Sequence, residues 1–226
     1  MLSIGGRPVL ECLLAWLKHY GIREIAVNLH YRPEAITDYF GDGTQLGVRI
    51  TYSPEREILG TAGGTKNIER FFDSTFVVVY GDILTDFPLP DLVRFHSECC
   101  QSPHMTMGLY HVPNPTECGI VVLDDRGQVV RFAEKPDAGE VFSDLANTGV
   151  IVLDREILEY VPAGRSCDYG KDVLPALLAR GVPVYGWTIP SWSYLIDIGT
   201  PEKFARASSE WPTTAAVQFL DAWIRS

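Results

Sequence analysis

Helical and strand signals alternate along most of this chain. The alternation predicts an α/β fold built on a mixed, mostly parallel sheet with helices on both faces. Val9, Leu10, Leu13, Leu14 and Leu17 recur at helical spacing between Pro8 and Tyr20, and Gly21 ends the run. Residues 24–29 (EIAVNL) read as a short buried strand, and 33–40 as a helix stopped by Gly41-Asp42-Gly43. A strand over 48–52 and a helix over 65–72 follow. The clearest strand is Phe76-Val77-Val78-Val79-Tyr80, β-branched and continuous as strands buried on both faces are. It runs straight into Gly81-Asp82.

Further on, the pattern predicts a helix over 89–99, a strand over 105–111 and a hairpin over 119–130 that turns at Asp124-Asp125-Arg126-Gly127. Strands are expected at 150–153 and 184–189, and helices at 155–160, at 173–179 and after Pro201. Val217, Leu220, Trp223 and Ile224 fall at helical spacing within 211–225, the pattern of a helix that docks on the body or on a second copy in a homo-oligomer. The sequence contains no internal repeat, low-complexity tract or linker signal, so residues 1–226 read as a single domain.

Composition narrows the partners. The formal net charge is −10, with 19 Lys and Arg against 29 Asp and Glu, which argues against a nucleic-acid or anionic-membrane surface. Small phosphorylated substrates remain compatible, because a few cations, backbone amides and a metal suffice to hold them. The five cysteines (Cys12, Cys99, Cys100, Cys118, Cys167) show no metal-ligand spacing and read as reduced thiols of a cytoplasmic protein. The sequence shows neither a membrane-spanning apolar run nor a secretory signal.

Several short motifs could carry chemistry. Asp82 follows a strand end, where α/β sheets bind ligands; it either holds a divalent cation against a phosphate or caps the next turn. Asp197, flanked by Leu195, Ile196 and Ile198, needs a partner or a metal, or bonds the Gly199-Thr200-Pro201 turn. Together the two acids make a plausible Mg²⁺ pair. Leu59-Gly60-Thr61-Ala62-Gly63-Gly64-Thr65-Lys66 reads as a Gly-rich loop leading into a helix, open to close backbone approach by a ligand and not a Walker A motif. On an extended segment Glu134 and Lys135 would point to opposite faces, with Lys135 suited to a phosphate. Asn147-Thr148-Gly149 reads as a turn before a strand that could bond a sugar. His30 reads as a satisfied structural histidine, and the sequence offers no nucleophilic triad.

The order of these motifs resembles the sugar-1-phosphate nucleotidyltransferases, whose core is a Rossmann-like nucleotide-diphosphosugar transferase fold. The likeness runs from Ile4-Gly5-Gly6-Arg7-Pro8 to Asp197-Ile198-Gly199-Thr200-Pro201-Glu202-Lys203. It implies that Gly60, Thr61, Ala62, Gly63 and Gly81 contact the nucleotide, and that Asp82 and Asp197 hold Mg²⁺. It also implies that Lys135 holds the sugar phosphate, while Gly119, Glu134, Asn147 and Gly149 recognise the sugar. Val27-Asn28-Leu29-His30-Tyr31, Gly81-Asp82-Ile83-Leu84-Thr85-Asp86 and Tyr169-Gly170-Lys171-Asp172 are closest in style to mannose-1-phosphate guanylyltransferases. The implied substrates are therefore a nucleoside triphosphate, GTP favoured, and a sugar 1-phosphate such as mannose 1-phosphate. Relatives in the family open with a strand and a G-G-x-G-T-R-L loop, so the resemblance creates the expectation that roughly twenty residues, including the triphosphate-holding backbone, precede Met1 in the natural protein. Relatives fused to hexapeptide-repeat acetyltransferases are not expected. The alternative reading is a non-catalytic, sugar-nucleotide-binding regulatory paralogue; a glycosyltransferase is disfavoured because no D-x-D motif follows a strand.

Overall fold

The computed structural model describes residues 1–99 and 105–214, so most of the helix expected over 211–225 falls outside the described residues. In chain order the strands are β1 (Ser3–Ile4), β2 (Arg7–Pro8), β3 (Glu24–Leu29), β4 (Arg49–Pro54), β5 (Phe76–Val79), β6 (Ile83–Thr85), β7 (Met105–His111), β8 (Gly119–Leu123), β9 (Val129–Glu134), β10 (Leu145–Leu153), β11 (Val184–Thr188) and β12 (Leu195–Asp197). The α-helices are α1 (Val9–His19), α2 (Glu34–Phe40), α3 (Gly60–Asn67), α4 (Leu89–Cys99), α5 (Leu174–Ala179) and α6 (Pro201–Glu210). The described residues fall into two compact units, one drawn from 1–57, 80–87 and 192–214, the other from 58–79, 88–99 and 105–191.

In the first unit α1 buries the face marked by Val9, Leu13, Leu14 and Leu17, and Trp16 donates its indole N–H to the Phe87 carbonyl at 3.1 Å. The chain leaves α1 through Gly21, whose φ of 84° lets its N–H reach back to the Lys18 carbonyl. Strands β3 and β4 run parallel, and β6 pairs antiparallel with β12. Ile4, Val9, Cys12, Leu84, Ile196, Ile198, Ala207 and Trp211 close a core around the second of these pairs.

The second unit is organised by β10. Its strand order is β11-β7-β10-β8-β9, with β5 also paired to β10. One flank of β10 follows β7 at both ends, over 145–147 and 151–153, while the other is shared: Ala146 lies opposite Ile120 of β8, and Val150–Leu153 lie opposite Val79–Phe76 of β5. The register on β7 shifts between Asn147 and Ile151. Side chains replace the ladder there. Thr148 Oγ donates to the Gly108 carbonyl at 2.9 Å and accepts from Val150 N–H at 3.1 Å, and Asn147 Oδ1 accepts from Gly149 N–H at 3.0 Å. Gly108 is required on the facing strand, since a Cβ there would lie 2.7 Å from Thr148 Oγ. The expected turn at 147–149 is thus a bulge inside a nine-residue strand.

The mixed sheet is present, with a smaller parallel share than expected. Only β3–β4 and β11–β7 pair in parallel among the described residues. From β7 to β10 the connections are 3-10 turns and a hairpin, and without a crossover helix neighbouring strands return antiparallel. Strand β5 pairs only with β10 among the described residues and its side chains are half-buried, not enclosed on both faces as the valine run suggests. Residues 155–160 form a 3-10 helix, and a π-helical turn at Tyr169–Val173 precedes α5.

A buried polar network ties α4 to the sheet. His96 Nδ1 lies 2.7 Å from Thr106 Oγ and Nε2 lies 3.3 Å from Asp154 Oδ1, which also accepts from the Thr75 hydroxyl. Replacing the ring in His96→Leu removes a partner from both Thr106 and Asp154. The expected cost is about 1–3 kcal/mol of unfolding free energy, read from urea denaturation; an unshifted midpoint would show that the network contributes no net stability.

Candidate functional site

Two acids meet where β6 pairs with β12. Asp82 stands one residue ahead of β6, and Asp197 ends β12 opposite Ile83. Ile198 N–H donates to the Asp82 carbonyl at 2.8 Å. Both side chains face Gly199: a Cβ there would sit 3.3 Å from Asp197 Oδ1 and 3.6 Å from Asp82 Oδ2. Asp82 keeps solvent access, yet the protein packed around its carboxyl removes enough hydration to push its pKa up. The charge of Asp197 adds to that rise and Lys203 opposes it. Gly81 beside it is exposed.

Asp197 does bond the turn that follows, accepting from Gly199 N–H at 3.2 Å, and its other oxygen accepts from Lys203 Nζ at 2.7 Å. Lys203 is not legible as a site residue in the sequence, because the Gly199–Pro201 turn separates it from Asp197 and no fixed helical or strand spacing links them. Among the described residues no group of three or more His, Cys, Asp or Glu could hold a metal. The donor set is therefore two carboxylates beside one ammonium. That set fits a hard cation arriving with its own water and phosphate oxygens, such as Mg²⁺, and not a metal caged by protein alone.

In the second unit the β8–β9 register puts Glu134 opposite Gly119. The Glu134 carboxylate occupies the space that side chains at two glycines would take. A Cβ on Gly119 would lie 2.7 Å, and one on Gly170 2.6 Å, from Oε2. Burial is the main cause raising the Glu134 pKa; Lys135 and then Lys171 pull it back, and Asp168 adds to the rise. The strand stops at Glu134. Lys135 turns into the left-handed region with φ of 47°, and its N–H donates to the Cys118 carbonyl at 3.0 Å. The extended geometry expected across Glu134 and Lys135 is therefore broken between them. A non-glycine residue held there stores about 1–3 kcal/mol of strain and keeps it only where the surroundings impose it. The Lys135 side chain is exposed. Asn147 is half-buried and Gly149, with φ of 81°, is buried at the bulge of β10.

The Gly-rich stretch is not a loop before a helix. Helix α3 begins at Gly60, five residues earlier than expected, so Gly60, Thr61, Ala62 and Gly63 form its first turn. Thr61 N–H and hydroxyl each donate to Asp168 Oδ1 at 3.1 Å. Ala62 N–H and Gly63 N–H both donate to the Cys167 carbonyl at 2.9 Å. The amides of this turn are thus already engaged, and Ala62 and Gly63 are buried. Gly60 and Thr61 are the half-buried members of the turn. Asp168 and Cys167 lie more than a hundred residues away in sequence, and no local pattern marks them as partners of this turn. In the first unit His30 is satisfied as expected, its Nδ1 3.0 Å from the Glu55 carbonyl oxygen.

Comparison with known proteins places this geometry in context. Residues 1–213 match the family described as Nucleotidyl transferase. The chain is 38% identical over 222 residues to a UTP–glucose-1-phosphate uridylyltransferase of Synechocystis sp., covering 92% of this chain and 56% of that protein. It is 35% identical over 212 residues to a mannose-1-phosphate guanylyltransferase of Mycobacterium tuberculosis, covering 93% and 57%. The chain spans a little over half the length of these curated relatives. Among solved structures, a crystal structure from Bacillus anthracis in complex with a sucrose superposes with a TM-score of 0.83 at 22% identity, over 94% of this chain and 86% of that one. HddC from Yersinia pseudotuberculosis gives 0.77 at 23%, over 93% and 88%. At such identities the two structures show a shared fold. With the family match over 1–213 and relatives above 30% identity, the chain belongs to the nucleotidyl transferase family.

Proposed function

We propose that this chain forms the core of a cytoplasmic sugar-1-phosphate nucleotidyltransferase and works as a single domain. The observation that carries the reading is the Glu134–Lys135 corner: a desolvated carboxylate wedged between two glycines, followed by a lysine held in a strained backbone, in a chain of this family. A phosphate oxygen of the sugar 1-phosphate attacks the α-phosphorus of a nucleoside triphosphate. A new P–O bond forms, the bond between the α-phosphorus and the bridging oxygen to the β-phosphorus breaks, and pyrophosphate leaves. No protein nucleophile is needed. GTP and mannose 1-phosphate are the favoured pair, supported by the phrase Val27-Asn28-Leu29-His30-Tyr31 and by the name of the M. tuberculosis relative. UTP with glucose 1-phosphate is the competing pair, drawn from the name of the Synechocystis relative.

In this reading Lys135 presents a compact point charge to the sugar phosphate. Glu134, Gly119, Asn147 and Gly149 recognise the sugar hydroxyls, while Gly60, Thr61, Ala62, Gly63 and Gly81 belong to the nucleotide contact. Gly60 and Thr61 supply its accessible surface. Asp82 and Asp197 would hold Mg²⁺, which when bound supplies positive charge against the triphosphate oxygens. Lys203 orients Asp197 through its ion pair with Oδ2.

Lys135→Ala and Asp197→Asn are each expected to lower kcat/KM by about 10²–10³, as loss of a charge contact at the reacting phosphates does. Pyrophosphate release over four nucleoside triphosphates and a panel of sugar 1-phosphates measures this, in the 226-residue chain and in a form extended upstream of Met1. Near-normal turnover of both folded variants would overturn the site assignment. Silence of both parent forms, with a sugar nucleotide still bound, would favour the regulatory paralogue.

The acid pair makes a second expectation that needs no turnover. Mg²⁺ at ten times its Kd should raise the melting temperature of the parent by about 3–6 °C and leave Asp82→Asn unmoved. Asp82 has a raised folded-state pKa, so its charge costs stability, and that cost develops as pH rises from the ordinary carboxylate range through the raised value. Without Mg²⁺ at pH 7, Asp82→Asn should therefore melt above the parent. A lower melting temperature for Asp82→Asn would show that desolvation does not govern this carboxylate.

A further inference from the structure

We infer that Asp168 is a positioning residue for the nucleotide-contacting turn, and that Cys167–Asp172 forms a strut abutting both that turn and the Glu134 carboxylate; the functional half of this inference rests on the reading above. Helix α3 is a poor helix on its own. It has eight residues, three of them glycine (Gly60, Gly63 and Gly64), and its N-cap position, Leu59, offers no side-chain acceptor. Glycine in a helix interior weakens the helix relative to alanine. The hold comes from elsewhere in the chain.

Asp168 Oδ1 takes both donors of Thr61, and Thr61 Oγ in return accepts from Tyr169 N–H at 2.9 Å. The Cys167 carbonyl accepts the next two amides of the helix, and Cys167 N–H donates back to the Leu59 carbonyl at 2.8 Å. A remote carboxylate and a remote carbonyl thus do what a local cap does. The two glycines fit this contact: a Cβ on Gly60 would lie 2.7 Å from the Cys167 carbonyl oxygen, and one on Gly63 2.8 Å from that of Arg165. Gly60 and Gly63 are small because the chain's own backbone comes close.

The strut is itself braced. Asp172 Oδ2 accepts from Asp168 N–H at 2.8 Å, and the Asp168 carbonyl accepts from the amides of Asp172 and Val173 at 3.0 and 3.1 Å. Two residues on, Gly170 leaves the space that Glu134 Oε2 occupies. Loss of the Asp168 carboxylate would release the first turn of α3 while leaving the buried apolar side chains of the unit in place.

The test compares the parent with Asp168→Ala, Asp168→Asn and Thr61→Val by hydrogen–deuterium exchange over residues 59–66 and by steady-state kinetics with GTP and UTP against mannose and glucose 1-phosphates. In Asp168→Ala, exchange at Thr61–Gly63 should speed up by about tenfold or more, as removal of a charge-assisted acceptor implies. The triphosphate KM should rise about tenfold, with kcat and the sugar-phosphate KM moving far less. Asp168→Asn should recover most of both, since its amide oxygen still accepts, and Thr61→Val should fall between. Unchanged exchange overturns the positioning role, and faster exchange with an unchanged triphosphate KM overturns its link to the nucleotide. If the parent shows no turnover with any pair, the underlying reading fails by itself and the exchange arm still decides whether Asp168 holds the turn.

Discussion

The larger unit depends on how β10 satisfies its backbone where one flank changes partner. A strand that trades β8 for β5 would strand polar groups at the junction, and a buried unpaired amide or carbonyl costs as much as a lost hydrogen bond. Thr148 and Asn147 resolve this with their side chains, one bridging to β7 and the other closing on Gly149. The bulge lets one continuous strand serve three neighbours. It also sets Asn147 at the point where the ladder is interrupted and a side chain is free of strict alternation.

A second theme is carboxylates partly stripped of their hydration by the protein around them. Asp82 and Glu134 each have a raised pKa whose largest cause is lost hydration, and each has lysine charge nearby to offset it, Lys203 in one case and Lys135 with Lys171 in the other. A fold selected for stability alone would use neutral residues at both places. Such perturbed acids, together with a strained lysine, are the local departures from ideality that accumulate at working sites.

Much of the architecture is legible in the chain. The α1 helix, β3, α4 and β7 fall where the apolar pattern puts them, α4 by burying one face and α1 and β7 as apolar runs buried nearly throughout. What misleads is context. Three glycines make residues 60–64 look like a loop, whereas the acceptors that sustain a helix there come from Cys167 and Asp168. A run of valines makes β5 look enclosed, although enclosure depends on what packs over its two faces, and its side chains are half-buried. The site residues themselves are marked by the order of motifs. Asp168, a structural support, is marked by no motif, and Gly170 falls in a quoted phrase without being marked as the glycine that makes room for Glu134, because long-range contacts leave no periodic trace in sequence.

The contact between Gly108 and Thr148 reaches beyond this one chain. Any side chain at 108 would collide with the Thr148 hydroxyl, and that hydroxyl closes the gap in the ladder. A larger residue at 108 is therefore admissible only in a lineage that has already lost the hydroxyl at 148 and rebuilt the bulge by other means. The two positions form one packing unit, and the absence of a side chain at 108 is what lets the hydroxyl at 148 do its work.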